Sequence, residues 1–107
     1  MVGSEVRRVV VDYLRSVREL GINTRRGVVF GSQSRGTSHE WSDIDLVVIA
    51  PELEPPRRRS VISQLWELRA STDSRIEPIA CGEKEWESPQ GRPILEVARE
   101  EGEEILL

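Results

Sequence analysis

The sequence predicts an α+β domain: a two-layer arrangement in which a mixed β-sheet carries helices packed mainly on one face. Two observations lead there. Apolar runs of strand length alternate with one-sided helical stripes in the order α-β-(turn)-β-α-β-α-(β). The first two strands are joined only by a polar, turn-rich segment, too short for the standard helical crossover of parallel neighbours. The sheet is therefore expected to be mixed rather than doubly wound.

Each element has its own signal. Ser4 is placed to cap a first helix. Val6, Val9, Val10, Tyr13, Leu14 and Val17 then recur at helical spacing. Gly21 stands where a helix ends in a left-handed turn. "GVVF" (Gly27 to Phe30) is a short buried strand stopped by Gly31, and residues 32–42 are polar and turn-rich. "DIDLVVIA" is the clearest strand. Pro51, Pro55 and Pro56 break it off and lead into a helix whose apolar side is Val61, Ile62, Leu65 and Leu68. "STD" (Ser71 to Asp73) is a turn. "RIEPIA" (Arg75 to Ala80) reads as a strand, with Pro78 pointing to an edge or a ladder break. A loop with Trp86 and Pro89 follows. Pro93 opens a last helix, Gly102 ends it, and "EEILL" closes the chain as a short strand.

Size and charge narrow the function. The 107 residues suit a single domain, 1–107, with one modest core. The composition, 37% hydrophobic and 32% charged, is that of a globular domain. A formal net charge of -4 gives no strong nucleic-acid signal. Lys84 is the only lysine, so the basic residues are nearly all arginines. Cys81 is the only cysteine, which excludes an internal disulfide and reads as a small filler near a strand end. "MVGSEVRRVVVDYLR" is amphipathic and charged, unlike a signal peptide, and no apolar run reaches the ~20 residues of a membrane span. The expected location is the cytoplasm.

The chemistry concentrates in "GSQSRGTSHEWSDIDLVVIA". Side chains alternate along a strand, so Asp43 and Asp45 share a face, with Cα atoms roughly 6.5 to 7 Å apart. That face continues as Val47 and Ile49, while Ile44, Leu46 and Val48 line the other. The strand is interior, and its aspartates lie at its exposed end. Two carboxylates there repel each other and resist desolvation; a hard divalent cation relieves both penalties. Gly31 permits close backbone approach and Ser32 supplies a hydroxyl. The backbone N–H groups of the turn through Gly36 would cradle phosphate oxygens. On "RIEPIA", Arg75, Glu77 and Ile79 share a face, and Glu77 joins the aspartates if the two strands are neighbours. Arg35 reads equally as a phosphate contact or a solvated loop charge. His39 reads as a surface loop residue, "RRR" at 57–59 as a solvated helix start, and Trp41 as packing or base stacking beside the motif. Trp66 and Trp86 suit core or interface.

Strand, Gly31-Ser32, ten residues, Asp43-x-Asp45 on a second strand, then an acidic residue on a third: this pattern resembles the polymerase-beta-like nucleotidyltransferase superfamily. In detail it looks like the minimal nucleotidyltransferase (MNT) subgroup, often encoded beside a helical HEPN partner in toxin-antitoxin pairs. The likeness covers about Val28 to Ala80. More softly, it takes in "IEPIACGEKEWE" and "PILEVAREEGEEIL" as well. It implies that Gly31 and Ser32, with Arg35 and Gly36, hold the phosphates of a nucleoside triphosphate. It implies that Asp43, Asp45 and Glu77 are catalytic and bind Mg2+, two ions, and that Glu77 helps activate the acceptor. The family usually has aspartate at that third place, and glutamate is one methylene longer.

The activity so implied is transfer of NMP, with AMP from ATP expected, onto a hydroxyl of a partner protein by the antitoxin of a HEPN/MNT pair. Homo- or hetero-oligomerisation stays open. The competing expectation, favoured by Glu77, is a catalytically weak or inactive module that neutralises its partner by binding. A fold relative with neither metal nor nucleotide is the third.

Overall fold

The structure, a computed structural model, describes residues 2–39, 42–88 and 92–107. Its strands are β1 (Arg26–Phe30), β2 (Ile44–Ile49), β3 (Ile76–Cys81) and β4 (Glu103–Leu106). They form one sheet in the order β3-β2-β1-β4. β1 runs antiparallel to both β2 and β4, whereas β2 and β3 are parallel. The helices are α1 (Ser4–Glu19), α2 (Ser32–Arg35), α3 (Arg59–Glu67), α4 (Glu83–Glu87) and α5 (Pro93–Glu101). The expected mixed sheet is present. The parallel pair is the one whose connection is long enough to carry a helix, α3.

Both faces of the sheet are covered, and unequally. Ile44, Leu46 and Val48 pack with Tyr13, Leu14 and Val17 of α1 and Leu65 of α3 in the larger cluster. Val47 and Ile49 pack with Val28, Phe30 and Cys81 against Leu95 and Ala98 of α5 in the smaller. The alternation of β2 therefore serves two cores, which is why "DIDLVVIA" reads as a continuous apolar run. Pro78 sits on β3, an edge strand, where the missing N–H costs no ladder bond.

Some local expectations shift. Gly3, not Ser4, occupies the cap position of α1, and no side chain caps it. Gly21 does end the helix, at φ 90°, with its N–H donating to the Arg18 carbonyl at 2.9 Å. Helix α3 starts at Arg59, and of its predicted apolar side Leu65 is buried while Ile62 is exposed. Arg57 is not a solvated helix start. Its guanidinium meets Glu85 at 2.7 Å, and Glu85 also holds Arg92 at 2.9 Å, because one carboxylate satisfies both cations beside the end of β3. Trp86 lies on α4 rather than in a loop, since Glu85 reaches back to the Gly82 N–H at 3.1 Å and closes that helix start. Trp66 is 40% exposed and carries the Arg69 guanidinium 4.7 Å over its ring. Trp41 and Pro89 lie outside the described residues. Among the described residues no helix is long and apolar enough to cross a membrane.

Tyr13 joins the two main helices. Its hydroxyl, fully buried, donates to the Leu65 carbonyl oxygen at 2.6 Å, and burial raises its pKa. Tyr13→Phe removes the donor and leaves that carbonyl unpaired. The expected loss is ~1–2 kcal/mol of unfolding free energy in a urea titration, with the sheet's circular dichroism unchanged.

Candidate active site

The site is built by register. Phe30 of β1 lies opposite Asp45 of β2, and Asp45 lies opposite Glu77 of β3. The exit of β1, the start of β2 and the start of β3 thus meet at one end of the sheet. Asp43 immediately precedes β2 and is exposed; the neighbouring Ile44 N–H donates to the Arg75 carbonyl at 2.8 Å, so pairing with the β3 side continues up to this mouth. Asp45 and Glu77 are half-buried, and their carboxyl groups lie close enough to influence each other's charge.

Their titration follows from that contact. Burial is the chief cause raising Asp45 above the ordinary carboxylate value. Its hydrogen bond with Glu77 lowers it, while Asp43 and Glu101 push it up and Arg35 pulls it down. Glu77 is likewise raised, first by burial, then by the Asp43 charge and by its bond to Asp45; Arg69 works the other way. Burial raises both; the contact between them lowers Asp45 and raises Glu77, so a proton held by the pair sits on Glu77 with Asp45 accepting.

Gly31 makes the close approach possible. It sits at φ 75°, ψ -149°, a region that is essentially glycine's own, and a Cβ there would collide with Oδ2 of Asp45. The chain then turns through α2, with the Ser34 and Arg35 N–H groups donating to the Gly31 carbonyl at 3.1 and 3.2 Å. Ser32 is the first residue of α2, and Gly36 closes it in a left-handed conformation. Gln33, 5% exposed, donates to the Ser42 and Asp43 carbonyls at 3.3 and 3.4 Å and so ties α2 to the entry of β2. Arg35, the last residue of α2 and 52% exposed at its side chain, meets Glu101 of α5 at 2.9 Å. Beside this mouth, Glu5, Val6, Gln33, His39, Asp73 and Arg75 contribute to the walls of a cleft of about 780 Å³.

The structure therefore gathers Gly31, Ser32, Arg35, Gly36, Asp43, Asp45 and Glu77 at one end of the sheet. Among the described residues no group of three or more His, Cys, Asp or Glu side chains is arranged to hold a metal ion. The donor chemistry nevertheless fits one. The three carboxylates are hard oxygen donors, and Asp45 and Glu77 face each other across the β2–β3 register, a donor set of the kind a hard divalent cation takes.

The family model of the nucleotidyltransferase domain matches residues 11–94 of the 107. The chain belongs to the nucleotidyltransferase domain family. This nucleotidyltransferase domain is also similar to a solved toxin-antitoxin structure with AMP-PNP: 21% identity, TM-score 0.64, over 92% of this chain and 71% of that one. A Sulfolobus solfataricus protein, provisionally assigned as a nucleotidyltransferase, is 19% identical with a TM-score of 0.57, over 76% of this chain and 70% of its own. At these identities the likeness establishes the fold. No curated protein matches the chain.

Two site residues carry no readable signal in the sequence. Gln33 is one polar residue in a polar segment. Glu101 is one acid among 19 and reaches Gly31 across 70 positions. Only the C-terminal glycine of α5 hinted that something turns there.

Proposed function

We propose that this domain is a Mg2+-dependent nucleotidyltransferase that moves AMP from ATP onto a hydroxyl of a partner protein, as the antitoxin of a HEPN/MNT pair in the cytoplasm. The observation that carries the reading is the pairing of Asp45 with Glu77 on neighbouring strands, with Gly31, just past β1, against Asp45 and with Ser32 and Asp43 at the rim. The solved toxin-antitoxin relative with AMP-PNP supports both the nucleotide and the partner.

Gly31 and Ser32, helped by Arg35 and the turn through Gly36, hold the triphosphate by backbone N–H, hydroxyl and guanidinium donors. Asp43 and Asp45, with Glu77 beside them, would hold the magnesium ions. When bound, magnesium supplies neutralisation of the triphosphate's charge and a lower acceptor pKa. The acceptor oxygen forms a bond to the α-phosphorus as the α–β anhydride bond breaks, and pyrophosphate leaves with that electron pair. Glu77 is the candidate to take the acceptor's proton, a role open to it once a bound cation has displaced the proton it holds against Asp45. Most of the rate comes from positioning and charge.

Incubation with magnesium and α-labelled ATP, with and without the helical partner, tests this. Label is expected on the partner. No label on any polypeptide, or labelling unaffected by Asp43→Asn with Asp45→Asn, would defeat it. The second reading, a module that neutralises by binding, is favoured by the longer Glu77 side chain. It predicts neutralisation untouched by the same substitutions.

A further inference from the structure

The geometry points to Glu101 as an internal stand-in for phosphate: its carboxylate holds the Gly31 amide and the Arg35 guanidinium at rest, and the nucleotide must displace it. The inference rests on the triphosphate reading of Gly31, Ser32 and Arg35 given above. Oε1 of Glu101 accepts from the Gly31 N–H at 3.3 Å and from Nη1 of Arg35 at 2.9 Å. One anionic oxygen on a backbone amide and a guanidinium is the arrangement a phosphate oxygen takes.

Packing puts Glu101 there. It is the last residue of α5, and the Gly102 N–H donates to the Ala98 carbonyl at 2.8 Å. A Cβ on Gly102 would collide with the Ala98 carbonyl oxygen and with Cγ1 of Val28, so this glycine lets the helix end settle against β1. Glu103 then pairs with Val29, and the chain enters β4. Glu101 is thereby fixed beside the exit of β1, where its charge also reaches Asp45.

The latch is weak enough to open. The Arg35 and Glu101 side chains are 52% and 31% exposed, and ion pairs at that exposure contribute little. A triphosphate brings several charges to the same donors against one. Glu101 then resists twice, by occupying the donors and by repelling the phosphates. Entry of the nucleotide is thus coupled to release of the Glu101 side chain from the Gly31 amide and Arg35.

Calorimetric titration of the full chain with Mg2+ and α,β-methylene ATP, with inorganic tripolyphosphate and with adenosine tests the latch. Glu101→Gln is expected to tighten the first two roughly three- to tenfold and leave adenosine unchanged. Glu101→Asp, which keeps the charge on a shorter arm, should fall between; it also serves if the glutamine variant misfolds. Binding by the natural protein with no gain in either variant overturns the latch and leaves the triphosphate reading standing. No binding of either phosphate ligand by any of the proteins overturns both. Binding seen only in the variants supports the latch.

Discussion

Asp45→Asn is expected to cut transfer of label from α-labelled ATP by at least about a hundredfold, and to do so without unfolding the protein. Asp45 is the central member of the carboxylate row, opposite Glu77 and against the Gly31 backbone. Its replacement keeps size and removes one hard anionic ligand. The stability arm separates lost chemistry from lost fold. Asp45 has a folded-state pKa raised above its ordinary 3.8. A raised carboxyl contributes stability that is complete below the unfolded value and is lost as pH rises through the folded value. Asparagine stays neutral throughout. Without metal, the variant should therefore gain on the natural protein as the pH goes from about 4 to about 8. Asp73 and Glu85, whose pKa values are lowered by Arg75 and by Arg92 and Arg57, lose stability as pH falls, but they are common to both proteins and cancel in the difference. Urea unfolding of both proteins across that range measures it. Added magnesium should reverse the ranking at the upper end, because the natural protein alone keeps the full set of carboxylates. Transfer at the natural rate by Asp45→Asn, or a stability difference flat in pH, would contradict the shared-proton site.

Gly31→Ala is expected to destabilise the domain by about 1–3 kcal/mol and to abolish activity together with it. Two costs act at one atom. The backbone at φ 75°, ψ -149° strains any residue with a Cβ, and that Cβ points into Oδ2 of Asp45. A free carboxylate would swing away. This one is tied to Glu77, so relief at Gly31 breaks the pair. The melting temperature should fall by roughly 4–8 °C per kcal/mol for a domain of this size. The double variant Gly31→Ala with Asp45→Ala should recover the part due to the collision and keep the backbone strain. A single variant that melts with the natural protein would mean that the exit of β1 does not hold this conformation.

Much of this protein is legible along the chain because its signals are local. Alternation marked "DIDLVVIA" as an interior strand with its aspartates at the mouth, and Pro78 narrowed β3 to an edge strand or a broken ladder. Gly31 reads as a close-approach residue from its place after "GVVF". The spacing of Gly31-Ser32 and Asp43-x-Asp45 suffices for the family. These features depend on side-chain periodicity, on backbone freedom and on the geometry of one turn. All of them act within a few residues.

What the sequence leaves open are the contacts between residues far apart in the chain. Nothing near Glu77 says that it pairs with Asp45; the parallel register of β2 and β3 does. Arg57 reads as solvated until Glu85 arrives from 28 positions away. Glu101 is one acid in an acidic tail until the packing of Gly102 on Val28 sets it on the Gly31 amide and Arg35. Charge and hydrogen bonding act over a few ångströms of space and carry no trace of sequence distance. The chain therefore announces its strands and its motif, while the folded sheet selects which carboxylates face each other and which one meets the Gly31 amide and Arg35.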